Sequence, residues 1–141
     1  MEEQIERHVL ESPAAQRLLS IPGVGQFTAA VVIAEIGEIE RFDSDKELVS
    51  YAGLDPVVHQ SDEKEMHGSI SKEGSAPLRW TLVQAAHTAV RCDDYFGNFY
   101  TRLKRRKNHQ IAIVATARKM LVSIYYMLTR KEMYDPPEVS A

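Results

Sequence analysis

Apolar positions recur at helical spacing along most of this chain. Residues 2–11 and 14–20 have helix-favouring composition, and Ser12-Pro13 marks the start of the second segment, because proline suits the first turn of a helix. An amphipathic helix is predicted from Thr28 to Ile36, ended by Gly37 as its C-cap. Asp43-Ser44 caps a short helix through Tyr51 that stops at Gly53. Val57 to Ser71 breaks the rhythm. It is polar, contains two histidines and a glycine, and reads as a short β-hairpin or an ordered loop. Ser75-Ala76-Pro77 then opens a helix to about Cys92, with Leu78, Leu82, Ala85, Ala86, Ala89 and Val90 on its apolar face. Asp93-Asp94 starts another helix through Lys107. A last long helix runs from about Gln110 to Thr129 with Ile111, Val114, Leu121, Tyr125 and Leu128 on one stripe.

Arg118 interrupts that stripe, four residues after Val114 and three before Leu121. A cation facing a core needs a partner, so its guanidinium is expected to meet a carboxylate, helix-end carbonyls or an anion at the rim. Lys119, one step round the helix, is expected in solvent.

Charge adds a second pattern. The net charge of −3 hides an uneven distribution. Residues 1–94 hold 8 Lys and Arg against 17 Asp and Glu, whereas residues 95–131 hold 9 Lys and Arg and no acid. That stretch suits a polyanion, or else pairs with the acidic front half. Composition changes the picture little: 141 residues with 44% hydrophobic and 26% charged residues suit one soluble domain. The single cysteine, Cys92, cannot form an internal disulfide and fits a reducing cytoplasm. No apolar run approaches the ~20 residues of a membrane span. The acidic N-terminus is no signal peptide. His8, His87 and His109 match no zinc spacing with Cys92, so no metal is expected within the chain.

The segment IPGVGQFTAA, residues 21–30, carries candidate chemistry. Gly23 and Gly25 can adopt positive φ while Val24 between them points into the core. The amides ahead of the following helix, together with its dipole, suit a phosphate. The pattern Leu-x-x-Ile-Pro-Gly-Val-Gly-x-x-Thr-Ala resembles the helix-hairpin-helix of sequence-independent DNA binders. The alternative is an interhelix turn that touches only protein.

Further segments follow in order: Ala34-Glu35-Ile36-Gly37, Arg41-Phe42, Leu48 to Pro56 (LVSYAGLDP), Gln60-Ser61, Gly68 to Gly74 (GSISKEG) and Leu78-Arg79. This series resembles the C-terminal domain of insertion-sequence transposases related to the Piv DNA invertase. The resemblance covers roughly residues 15–130, and with the helical pattern it gives an all-α domain at 14–131, with one small β-hairpin as an option, behind a helical extension at 1–13; Asp135-Pro136-Pro137 stops any helix and makes 132–141 a flexible tail. The resemblance implies a separate RuvC-like domain that binds magnesium, for which this chain has no room. The chain is therefore expected to be an excised domain or a degenerate remnant, unable to recombine DNA alone. The resemblance also implies DNA as partner, a guide RNA in some members, and homo-oligomers.

By the same resemblance Ser61 is the candidate nucleophile. Asp62 stands where the family has glycine, and its carboxylate would repel an approaching phosphate. His59 and His67 are weaker candidates for a base that activates the serine. Ser61 could equally be a turn serine bonded to its own backbone. Lys72 and Arg79 match the family segment and join Gly23, Val24, Gly25, Arg102, Lys104, Arg105, Arg106 and Lys107 as candidate nucleic-acid contacts. Two other readings remain: a non-catalytic helix-hairpin-helix module of a repair or recombination protein, and a protein-interaction domain using the acidic half.

Overall fold

A computed structural model describes residues 10–56 and 74–137. The readings for residues 2–9, for the Val57–Ser71 stretch, and for His59, Ser61, Asp62, His67 and Lys72 lie outside the described residues. Within them the fold is all-α: α1 (Pro13–Leu19), α2 (Gln26–Ile36), a 3-10 turn (Ile39–Arg41), α3 (Asp45–Tyr51), α4 (Ala76–Cys92), α5 (Asp94–Lys104) and α6 (His109–Arg130).

The helix starts follow local chemistry. Ser12, Ser44, Ser75, Asp93 and Asn108 are N-caps whose side-chain oxygens accept backbone N–H bonds from the first turns of α1, α3, α4, α5 and α6. Gly37, at φ 66, ends α2, and Gly53, at φ 72, follows α3. At the C-terminal end of α2, Arg41 donates from Nε to the Ile36 carbonyl at 2.7 Å and from a terminal nitrogen to that of Glu35 at 3.1 Å. A cation there complements the helix dipole, and the guanidinium lies over the rings of Phe42 and Tyr51.

α6 is the axis of the core. It packs against α1, α3, α4 and α5, and every residue from Ala112 to Ala117 is buried. Three alanines in that run permit close approach of neighbouring helices. The Thr116 hydroxyl is satisfied by donating to the Ala112 carbonyl at 2.8 Å. By length and composition α6 could also cross a membrane, but most of it is buried inside the protein, so its apolar surface is accounted for by the core.

Three expectations change. Ile111 is 51% exposed, because the buried sector of α6 begins at Ala112. α5 stops at Lys104, since the Arg106 and Lys107 amides both turn back to the Leu103 carbonyl. α2 is apolar nearly all round rather than amphipathic; it buries Ala29, Val32 and Ile36 and leaves Phe27 62% exposed.

Beyond Lys131 the chain is anchored at Tyr134. The Tyr134 amide donates to Ser20 Oγ at 2.9 Å, and its hydroxyl donates to Asp93 Oδ2 at 2.7 Å. Its ring stacks on Phe96. Burial and the Asp93 carboxylate push the Tyr134 phenol well above its ordinary range.

Candidate nucleic-acid interface

The turn between α1 and α2 is built on Gly23. Its φ is 98, and a Cβ placed there would lie 2.8 Å from the backbone N and Cα of Ala89 in α4. Glycine is therefore required both by conformation and by the approach of α4. Val24 is buried, as its position predicts. Gly25 differs from the expectation of positive φ. It is extended at φ −96, ψ −174, and acts as the N-cap of α2, so its glycine is not demanded by φ. Among the described α-helices, α2 is the one that starts without a side-chain cap. Gly25, Gln26 and Phe27 are exposed. Among the described residues no side chain caps the first-turn amides of α2, which stand at the positive end of the helix.

The acid-free stretch is divided by the fold. Arg102, Lys104, Arg105, Arg106 and Lys107 are all exposed where α5 turns into α6. The other cations of the stretch lie away from this corner. Lys119 is not simply solvated: its ammonium lies over the rings of Tyr95 and Phe99 at 5.2 and 4.6 Å. Arg130 covers Tyr126. Lys131 is the left-handed cap that ends α6.

Arg118 donates from Nε to the Leu54 carbonyl at 2.7 Å. Among the described residues its hydrogen-bond partner is a backbone oxygen just past α3 rather than a carboxylate. Burial lowers the pKa of the guanidinium, and the nearby Asp55 carboxylate opposes that shift. An arginine stays charged even so.

The glycine turn and the basic corner flank the same part of α4. Gly23 meets Ala89, while the His109 ring at the start of α6 packs 5.3 Å from His87. Positions 87 and 89 are about 200° apart around a helix, so the two features lie on opposite faces of α4. Tyr100 joins the second face through a 2.6 Å hydrogen bond to His109 Nδ1.

This histidine cluster makes stability pH-dependent. Desolvation first, then His109 and Arg91, lower the pKa of His87. The unfolded chain therefore takes up the proton more readily. Stability is fully present above the unfolded pKa of about 6.5 and falls as the pH drops towards the folded value. Urea melts between about pH 7.5 and 5 should show a small loss on acidification, and His87→Gln should shrink it.

The segment containing Ser61 and Lys72 has well-held ends. On one side, Leu54 is fixed by Arg118, and the Ser50 hydroxyl donates to Asp55 Oδ2 at 3.2 Å. On the other, the Ser75 amide donates to the Tyr51 carbonyl at 2.6 Å, and its hydroxyl donates to Glu35 Oε1 at 2.5 Å. Arg79 is exposed in the first helical turns of α4, with its Cδ beside Gly53, and Trp80 next to it is 59% exposed. A groove of about 510 Å³ opens between Pro56 and the α5–α6 corner. Sequence reading missed it. The available signal was Ile111, Val114, Ala115 and Arg118 at helical spacing directly after the basic run.

These features define an all-helical domain with an uncapped glycine turn on one face of α4 and a cationic corner on the other. Residues 15–101 match the profile of the Transposase IS116/IS110/IS902 family, and the chain belongs to that family. It is 31% identical to a probable family 20 transposase of Pseudomonas aeruginosa, over 96% of this chain and 41% of that protein. It is 35% identical to the transposase for insertion sequence element IS1111A of Coxiella burnetii, over 94% of this chain and 38% of that protein. It is 34% identical to the pilin gene-inverting protein of Moraxella bovis, over 86% of this chain and 38% of that protein. The chain thus spans about two fifths of the length of these relatives.

Proposed function

We propose that this chain is the DNA-contacting C-terminal part of an insertion-sequence transposase and that it supplies Ser61 as nucleophile. The observation that carries the binding half is the α5–α6 corner, with five exposed cations in the six residues 102–107. Phosphates are the partner such a corner suits, and membership of a transposase family supports reading the polyanion as DNA. The uncapped start of α2 supports a second backbone contact of the helix-hairpin-helix kind, made by amides rather than side chains. Neither contact reads bases, so affinity should be independent of sequence and fall steeply with salt, with a log–log slope of about −0.9 for each phosphate neutralised.

Gly25→Asp separates the turn from the fold. No atom lies within 4 Å of a Cβ built at Gly25, and aspartate is a favourable N-cap. The variant should be at least as stable as the parent, while its carboxylate occupies the anion position. A DNA titration should show weaker binding with unchanged melting. Unchanged affinity would remove the turn from the interface and leave the corner alone.

In the catalytic half, the Ser61 hydroxyl attacks a phosphodiester, displaces the 3′ or 5′ oxygen of the broken strand, and conserves the bond energy in a serine ester. Magnesium held by a RuvC-like domain would polarise the phosphate and ease loss of the serine proton. Arg118 and the Tyr51–Ser75 bond hold the described ends of the Ser61 segment. In a protein carrying both domains, Ser61→Ala should abolish strand exchange and the covalent protein–DNA adduct while DNA binding persists. Recombination by the alanine variant would exclude Ser61.

A further inference from the structure

We infer that the groove beside the basic corner accepts an unpaired nucleobase whose flanking phosphates rest on that corner. This deepens the proposed DNA-contacting role and rests on it. The groove has a volume of about 510 Å³ and is walled by Pro56, Leu103, Ile111, Val114 and Ala115. That size lies within the range of small-ligand sites, and its walls are aliphatic. Among the described residues its polar groups are Lys107, Gln110 and Arg118, and each suits a nucleotide. Lys107 lies at the edge shared with the corner, and Gln110 offers an amide to a base edge. Arg118 lines the groove with one N–H given to the Leu54 carbonyl, and its other N–H groups can meet carbonyl or ring-nitrogen acceptors.

Charge selects the occupant. A purely apolar partner would leave the half-buried Arg118, and the exposed Lys107 at the rim, facing hydrocarbon, a costly arrangement. An apolar body joined to phosphates satisfies both walls and cations. Duplex DNA hides its bases, so the fitting occupant is a nucleotide out of its stack, as occurs in a strand being opened or exchanged.

The test compares single-stranded oligonucleotides with abasic oligonucleotides of equal length and charge, bound to the 141-residue chain at one salt concentration. Base-bearing strands should bind about tenfold more tightly. Ala115→Leu, which fills the groove, should bring their affinity down to the abasic level while leaving abasic binding and the salt slope unchanged. Should Ala115→Leu fail to fold, Ile111→Glu takes its place, because Ile111 is half-exposed at the rim. It should again weaken base-bearing strands more than abasic ones. Equal binding of the two strands by the parent, or equal weakening of both by these variants, overturns the groove inference while leaving backbone binding intact. Concentration-dependent self-association abolished by Ile111→Glu, with no base preference, would also overturn it and make the groove a dimer contact. Binding of neither strand at low salt would instead overturn the DNA-contacting function itself.

Discussion

Gly23→Ala should cost about 3–5 kcal/mol of stability, the sum of a strained backbone and an overpacked contact. The residue sits at φ 98, where an L side chain is strained. The new methyl would also meet Ala89 N and Cα at 2.8 Å. Those are helix backbone atoms, so relief requires α1 and α2 to move away from α4. A double-mutant cycle with Ala89→Gly checks this reading. Removing the Ala89 methyl relieves only a 3.1 Å contact and leaves the backbone contacts in place, so rescue should be slight. Full rescue in urea melts would show that the side chain alone sets the spacing. Substitutions at Gly23 therefore report on folding before they report on DNA, which is why Gly25, open on its outer side, is the better probe of the turn.

Arg118→Ala should lower stability by about 2–3 kcal/mol, because it breaks a charged hydrogen bond and leaves the Leu54 carbonyl without its donor. Leu54 is fully buried, so water cannot readily replace the lost bond. The loss corresponds to a melting temperature lower by roughly 10 °C. The cost is smaller than for a broken buried ion pair, since the bonded partner is a neutral carbonyl and the nearby Asp55 carboxylate is partly exposed to solvent. Arg118→Lys should recover part of the stability by keeping the charge and stem without the planar fork. A thermal melt run beside a DNA titration separates this structural role from the groove contact inferred above. Unchanged melting with weaker DNA binding would make Arg118 chiefly a phosphate or base ligand.

Local chemistry was legible in the sequence because it acts over a few residues. Ser12-Pro13, Ser44, Ser75-Ala76-Pro77 and Asp93 each announce a helix start through a side-chain oxygen within reach of the next amides. Gly37 announces an end for the same short-range reason. The position of Arg118 inside an apolar stripe likewise required a partner, whatever the topology.

Which partner it found, and what the glycines and cations do, depended on elements far apart in the chain. Gly23 and Gly25 look alike in sequence, but α4 crowds only the first, through Ala89. The basic residues of 95–131 form one run by composition, but α5 and α6 fold back on each other. That return puts Lys119 on Tyr95 and Phe99 and gathers five exposed cations at one corner. Arg118 meets Leu54 because core packing holds α3 against α6, and the same packing brings the Asp55 carboxylate near its guanidinium. The sequence by itself determined the helices, their caps and the family, since short-range bonding and residue order decide those. The tertiary structure alone decided which donors, cations and apolar walls remain free to meet a strand, because burial and close packing are properties of the assembled helices.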